Sequence, residues 1–186
     1  MRRVRYSVAC SLDGFIAGPK GEHDWITMDP SIDFTAFMAE FDTILLERRT
    51  FQVAQGHGGG GGGMGGMKSI VFSRTLRAAD HPKATIVHNA VPAVAELKAQ
   101  PGKDIWLMGG GSLFRSLLDA HLVDSIEVGV MPVLLGAGIP LLPGPYSKCE
   151  LTLASSKTLA SGTLMLTYQP RAPRPKRRVR RGEDRE

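Results

Sequence analysis

The chain has few cysteines and histidines, and their spacing argues against two classes of protein. Cys10 and Cys149 are the two cysteines, and they belong to no CxxC pair. The five histidines show no HExxH or other metal-ligand spacing. A disulfide scaffold and a structural metal site both need denser, more regular patterns. We therefore predict two buried free thiols and no metal.

Long apolar runs are also absent. No run approaches the roughly 18 to 20 residues that a membrane-spanning helix needs. The chain begins with the basic stretch Met1-Arg-Arg-Val-Arg, but Ser7, Ser11 and Asp13 interrupt the apolar region that a signal peptide would require. We expect a cytoplasmic protein with no membrane partner.

The net charge of +5 comes from one end of the chain. Residues 171–186 carry eight basic and three acidic residues, which leaves fifteen of each sign in residues 1–170. The tail has no apolar face and is predicted to be disordered. Because the tail also lacks interleaved aromatics and the rest of the chain is neutral, we predict no nucleic-acid partner. Residues 1–170 are predicted to form one domain.

Hydrophobic periodicity predicts an α/β domain. Apolar residues alternate from Val4 to Cys10, as in a half-buried strand, and Asp29-Pro30 is typical of a helix start. Further strands are predicted at 43–46, 69–73, 84–88, 105–108 and 124–131, and helices at 48–54, 89–98 and 112–118. The last two strands, near 149–157 and 163–169, form a hairpin through Ser161-Gly162. This order favours a mostly parallel central sheet with helices on both faces and a C-terminal antiparallel hairpin.

Residues 56–67 are nearly all glycine, interrupted by His57 and Met64 and ending in Met67. The stretch lacks the Lys-Ser/Thr ending of a Walker phosphate loop. Ordering so much glycine is entropically costly, so the sequence predicts a flexible surface loop.

The stretch from Ile105 to Leu118 is the strongest local indication of a binding site. A short apolar run leads through Gly109, Gly110 and Gly111 into a helical pattern. Such a helix start offers free N–H groups to an anion, and the Ser112 hydroxyl is suited to cap one of them. A tight strand-to-helix turn without a ligand remains the alternative.

Several separated stretches together resemble one family. They are Ser11-Leu-Asp-Gly-Phe-Ile-Ala17, Arg48-Arg-Thr-Phe51, Val71-Phe-Ser-Arg74, Gly109-Gly-Gly-Ser-Leu113 and Pro132-Val-Leu-Leu-Gly-Ala-Gly138. In this order they resemble the dihydrofolate reductase-like superfamily, and more closely the stand-alone relatives of the RibD C-terminal reductase domain of riboflavin biosynthesis. The resemblance covers residues 3–169 and implies an NADPH-dependent reductase, commonly a homodimer.

The resemblance also implies where the cofactor binds. It places Arg48 at the 2′-phosphate, Thr50 at the pyrophosphate, and Ser73 and Arg74 at the same 2′-phosphate, and it implies a cis peptide between Gly109 and Gly110. The full implied cofactor set is Ala9, Arg48, Thr50, Ser73, Arg74, Gly109, Gly110, Gly111, Ser112 and Leu113.

Four residues are candidates for the substrate pocket. The resemblance places Asp33 and Phe37 where dihydrofolate reductases keep a pterin-binding carboxylate and an aromatic. It also places Asp13 in the loop over the nicotinamide, while Trp25 is a candidate for the rim. Asp33 and Asp13 are the candidate catalytic residues, because hydride transfer also needs a proton source. The alternatives are a first-turn acid at Asp33 and a turn cap at Asp13.

Two positions depart from the family pattern. Glu47 replaces a glycine before Arg48, where its carboxylate would either crowd the pyrophosphate or point away. Phe15 replaces a lysine that holds a sugar phosphate in the riboflavin reductases. We therefore expect a hydride transfer from NADPH to a small carbonyl, imine or pterin-like heterocycle. A dihydrofolate reductase proper and a non-catalytic binding protein on the same fold are the alternatives.

Overall fold

The structure is a computed structural model that describes residues 1–56 and 66–171. Its strands are β1 Val4–Ser11, β2 Phe15–Ala17, β3 Phe41–Glu47, β4 Lys68–Phe72, β5 Ala84–Val87, β6 Asp104–Gly109, β7 Ser125–Met131, β8 Ile139–Pro140, β9 Leu151–Thr158 and β10 Leu164–Pro170. Its α-helices are α1 Phe34–Ala39, α2 Arg48–Gly56, α3 Ala90–Ala99 and α4 Gly111–Asp119, and residues Ala78–Asp80 form a 3₁₀ turn.

Within the described residues, eight strands form one sheet in the order β5-β4-β3-β6-β1-β7-β10-β9. The six strands from β5 to β7 are parallel, whereas β10 runs antiparallel to β7 and β9 antiparallel to β10. A separate small sheet pairs β2 with β8. The predicted fold class is confirmed, including the C-terminal hairpin.

Alternating side chains on the strands build a core on each face of the sheet. The first core lies between the sheet and helices α3 and α4, where the fully buried Tyr6 ring stacks on Phe114 with 3.8 Å between centroids. The second core lies under α1 and α2 and includes Phe41, Phe51 and Trp106. Helices therefore cover both faces, as the sequence predicts.

The first helix begins later than the sequence predicts. Asp29 does not cap it; α1 starts at Phe34, and Asp33 is the N-cap, with its carboxylate accepting from the Ala36 amide at 2.9 Å. The Asp29 carboxylate instead accepts from the Ser161 amide at 3.0 Å, in the hairpin turn. The predicted start at Asp29-Pro30 was wrong because this carboxylate holds a local turn at Ser31 and the distant Ser161 amide, and does not cap a helix.

The two ends of the predicted glycine loop belong to the packed fold. Gly56 closes α2, and Met67 is buried in the second core. The remaining residues of that loop, 57–65, and residues 172–186 of the predicted tail lie outside the described residues. No helix in the described part of the chain is long and apolar enough to cross a membrane.

Both cysteines are free, as predicted, but they differ in exposure. Cys10 is buried and Cys149 is half-buried. Burial raises the pKa of the Cys10 thiol to about 11, with the nearby Asp13 charge adding to the effect. The Cys10 thiol is therefore neutral at physiological pH.

Candidate active site

The carboxyl ends of the central parallel strands meet at one edge of the sheet. Glu47 pairs with Phe72 and Phe72 with Val87, while Leu46 pairs with Gly109 on the other side. Helix α2 leaves the end of β3 toward the second core, and α4 leaves the end of β6 toward the first. Neighbouring strands whose helices pack on opposite faces open a crevice between their ends, which is where α/β sheets bind ligands.

Strand β1 pairs with β6 over only part of its length. These strands pair only from Val4–Ile105 to Tyr6–Leu107, although β1 continues to Ser11. Beyond this point the Trp106 indole donates to the Ser7 carbonyl at 3.1 Å. Ala9, predicted at the cofactor, therefore lies on a stretch of β1 that β6 does not cover.

The glycine triplet and Thr50 are brought together, as the cofactor prediction requires. The Gly109–Gly110 peptide is cis, as the resemblance implies, and α4 begins directly after it. The Thr50 hydroxyl lies 3.6 and 3.7 Å from the positions that Cβ atoms would take at Gly109 and Gly110. The N-termini of α2 and α4 therefore converge on this peptide.

Gly111 has a structural requirement of its own. A Cβ atom there would lie 2.6 Å from Pro143 Cδ and 3.2 Å from the Pro140 carbonyl oxygen. The close approach of the segment after β8 therefore needs a glycine at this position without any ligand. The alternative interpretation of the triplet, a tight turn, accounts for Gly111.

Glu47 caps helix α4. Its Oε1 accepts a short hydrogen bond from the Leu113 amide, and its Oε2 lies 2.7 Å from the position of a Cβ at Gly110. Burial raises the pKa of Glu47, while the Leu113 hydrogen bond and the nearby Arg49 and Arg115 charges act in the opposite direction. The carboxylate thus crowds the amide end instead of pointing away.

The predicted cap at Ser112 was wrong. The N-cap residue of α4 is Gly110, which has no side chain that could cap the helix, and Ser112 is exposed. Glu47 takes this role from the neighbouring strand. Sequence reasoning noted Glu47 only as a departure; the usable indication was a carboxylate between a buried strand and a helix start.

The candidate 2′-phosphate residues follow neighbouring strands at the same edge. Arg48 and Arg74 are exposed and make no ion pair within the described parts of the chain. The Ser73 hydroxyl is already engaged, since it accepts from the amides of Thr75 at 3.2 Å and Leu76 at 3.0 Å. Two unpaired guanidinium groups are therefore available to an anion at this edge.

Asp13 joins two loops beside the site. Its carboxylate accepts from the Ser11 hydroxyl at 2.6 Å and from the amides of Leu135 at 3.1 Å and Gly136 at 2.7 Å. These hydrogen bonds, the Ser11 one foremost, lower the pKa of Asp13. Gly138, in the same segment, packs directly on the Ala17 carbonyl.

The other predicted substrate residues lie on α1 and in the loop before it. Asp33 is exposed at the start of α1, and no contact within the described residues joins it to Asp13 or to the glycines. Phe37 packs edge-on against Trp106, with 5.2 Å between ring centroids. Trp25 is half-buried, and its indole donates to the Glu22 carbonyl at 3.1 Å.

This architecture is shared with known proteins. Residues 2–165 match the RibD C-terminal domain family, and the chain therefore belongs to it. The uncharacterized protein YyaP of Bacillus subtilis (strain 168) is 36% identical over 177 residues, which cover 90% of this chain and 94% of YyaP.

Solved structures share the fold at lower identity. A protein assigned to riboflavin biosynthesis from Shewanella sp. PV-4 has a TM-score of 0.76 at 24% identity, covering 92% of this chain and all of that one. The bifunctional deaminase and 5-amino-6-(5-phosphoribosylamino)uracil reductase of Thermotoga maritima gives 0.67 at 16% identity, covering 91% and 56%. Dihydrofolate reductase from Enterococcus faecalis, complexed with NADP(H), gives 0.65 at 17% identity, covering 91% and 97%.

Proposed function

We propose that this protein is an NADPH-dependent reductase that transfers a hydride to a carbonyl or imine carbon of a small heterocycle of the pyrimidine or pterin type. Its reaction would be similar to that of 5-amino-6-(5-phosphoribosylamino)uracil reductase. The observation that carries the proposal is the meeting of two helix N-termini and the Thr50 hydroxyl at the Gly109–Gly110 peptide. Backbone amides at helix starts are suited to a diphosphate.

The side chains around this point fit a phosphorylated dinucleotide. Thr50 and the glycine amides would hold the diphosphate, and Arg48 and Arg74 would hold the 2′-phosphate with forked hydrogen bonds. Ser73 would shape the turn that presents Arg74, since its hydroxyl accepts from two amides of that turn. The nicotinamide would lie toward Ala9, on the part of β1 that extends beyond its pairing with β6.

When bound, the cofactor supplies the hydride, so the protein has to position the acceptor and manage one proton. The Asp13 carboxylate already accepts hydrogen bonds from Ser11, Leu135 and Gly136, which lower its pKa, so it is assigned a positioning role and not proton transfer. We propose that Asp13 keeps the 11–17 loop in place over the nicotinamide. Asp33 and Phe37 would contact the heterocycle from α1, with Asp33 as the candidate source of the proton and Trp25 at the rim.

The acceptor is proposed to carry no sugar phosphate, because Phe15 stands where the riboflavin reductases have a lysine. A second candidate function is ligand binding without catalysis. The hydrogen bond from the Leu113 amide to the Glu47 carboxylate favours this second function, because that amide is one of those proposed for the diphosphate. We also propose that the protein is a cytoplasmic homodimer.

Calorimetric titration with NADPH and NADH tests the cofactor. We expect micromolar binding of NADPH and at least tenfold weaker binding of NADH. The double variant Arg48→Ala, Arg74→Ala should remove the preference, since it removes the proposed 2′-phosphate contacts. The double variant Arg3→Ala, Lys103→Ala, at the opposite edge of the sheet, is the matched control and should keep it.

Binding of neither dinucleotide would contradict the reductase and favour ligand binding without catalysis. If NADPH binds, its oxidation by dihydrofolate or by the aminouracil riboside phosphate identifies the acceptor. Oxidation by dihydrofolate would assign the protein to the dihydrofolate reductases proper. Oxidation by the aminouracil compound would place it in riboflavin biosynthesis despite Phe15.

A further inference from the structure

Glu47 occupies part of the anion-binding end of α4. Its Oε1 accepts from the Leu113 amide, which is in the first turn of the helix. Its Oε2 lies against Gly110, at 2.7 Å from the Cβ position, and the Thr50 hydroxyl is 3.7 Å from that same position. One carboxylate thus fills the space that Gly110 opens between the two helix starts.

A carboxylate and a diphosphate would compete for this position at the N-terminus of α4. Both are anions, and both are stabilised by the same first-turn amides and the same helix dipole. The Leu113 N–H has one hydrogen atom and makes its best hydrogen bond to one acceptor. A diphosphate that reached the N-terminus of α4 would also meet the Glu47 charge at short range in a half-buried position.

We propose that Glu47 controls the affinity of the cofactor site: its carboxylate competes with the diphosphate for the α4 amides and must leave the Leu113 amide before a dinucleotide binds. This inference rests on the proposed function, because it assigns the diphosphate to that site. It goes further in making the affinity for the cofactor depend on one side chain of this chain.

Protonation offers Glu47 one way to release the site. Burial favours its neutral form, although Arg49 on α2 and Arg115 on α4 favour the charged one. Tyr6 is the other titratable group coupled to Glu47, and burial raises its pKa, so it stays neutral. If release involves proton uptake, a dinucleotide binds more tightly as the pH falls toward the pKa of Glu47.

Calorimetric binding of NADPH and NADH at pH 6 and pH 8 tests this for the wild type, Glu47→Ala and Glu47→Gln. We expect Glu47→Ala to bind NADPH at least tenfold more tightly than the wild type at pH 8, with a smaller difference at pH 6. Glu47→Gln keeps an acceptor for Leu113 but removes the charge, so it should lie between them. Glu96→Ala, an exposed position on α3, is the matched control and should bind like the wild type.

The Leu113 amide resonance gives a readout that does not depend on turnover. In the wild type it should shift on saturation with NADPH, as Glu47 is displaced, and it should shift with pH in the absence of cofactor. The pH shift should vanish in Glu47→Ala. Every other side chain is the same in the two proteins, so its effect on this resonance cancels in the comparison.

Two results would overturn the inference while leaving the reductase in place. One is a folded Glu47→Ala that binds NADPH no more tightly than the wild type. The other is a Leu113 resonance that does not move when NADPH saturates the wild type. Failure of every variant to bind either dinucleotide would overturn both proposals. Binding by Glu47→Ala alone would support the competition at α4 but contradict a reductase function of the wild type.

Discussion

The Gly136 amide donates a hydrogen bond of 2.7 Å to the Asp13 carboxylate, across 123 positions of sequence. Asp13 lies in the turn between β1 and β2, and Gly136 lies in the segment that leads to β8. Gly136 has a φ of +74°, which glycine adopts without strain. One carboxylate therefore holds two loops together beside the proposed nicotinamide position.

The first prediction concerns this contact. Asp13→Asn should speed hydrogen exchange at the amides of Leu135 and Gly136 by at least tenfold, because a neutral carbonyl is a weaker acceptor than a carboxylate. Exchange followed by NMR measures it, with Asp24→Asn, a change at an exposed position, as the control. Unchanged protection of both amides would show that Asp13 does not hold the segment.

The second prediction concerns Asp29, which accepts from Ser31 and from the Ser161 amide. These hydrogen bonds, to Ser31 first, lower the pKa of Asp29 below its usual 3.8. A lowered folded-state pKa gives stability that is complete above the unfolded-state value and is lost as the pH falls through the folded-state value. Denaturation should therefore show Asp29→Asn to be less stable than the wild type by a constant amount from pH 7 to about 5, and by less below about pH 4.

A matched control separates this contact from general acid effects. Asp80→Asn changes a carboxylate that pairs with Arg77 on the surface, and it should alter stability little at any pH. The prediction would be contradicted if the free energy of unfolding of Asp29→Asn, plotted against pH, stayed parallel to that of the wild type down to pH 2.

Asp29 and Ser112 show what the sequence could and could not predict. The eight strands of the main sheet, its mostly parallel arrangement and the hairpin were predicted because alternation and turn residues act over short distances, whereas the short strands β2 and β8 were not. Both capping predictions failed for one reason. In each case the partner comes from elsewhere in the chain, since Ser161 takes the Asp29 carboxylate and Glu47 supplies the cap of α4. Local sequence patterns cannot show which distant group will form a hydrogen bond with a helix end or with its capping side chain.

The candidate site shows the same limit. The resemblance brought Thr50 and the glycine triplet to one place, and the structure has them there. It gave no role to Glu47, because the family pattern has a glycine at that position. It also could not show that Gly111 is required by packing against Pro143.

The third prediction follows from that packing. Gly111→Ala should destabilise the protein by about 1–3 kcal/mol, because its Cβ would overlap Pro143 and crowd the Pro140 carbonyl. Chemical denaturation measures the change. Gly56→Ala is the matched control: no atom of the described residues lies within 4 Å of its Cβ position, and alanine suits a helix end at least as well as glycine. If Gly111→Ala lost no more stability than the control, the 140–143 segment would have moved away from the new methyl group without an energetic cost.

The fourth prediction addresses the proposed homodimer. Every residue of β9 is exposed, and the outer edge of this strand pairs with no other described strand. Leu153, 52% exposed, lies opposite Tyr168, whose ring packs against the first core. The apolar surface of that core thus continues outward onto an open sheet edge, which is a common place for chains to pair.

A charge on this surface should separate the two copies. Leu153→Glu should shift the sedimentation coefficient from that of a dimer to that of a monomer, because pairing would bury the new carboxylate among apolar side chains. Leu134→Glu places the same charge at a leucine that is 69% exposed in the loop before β8, and it should leave the dimer intact. If both variants sediment as the wild type does, and that species is a dimer, the copies meet through another surface. A wild type that sediments as a monomer at every concentration would instead leave β9 as an unpaired edge, and the site would then be complete within one chain.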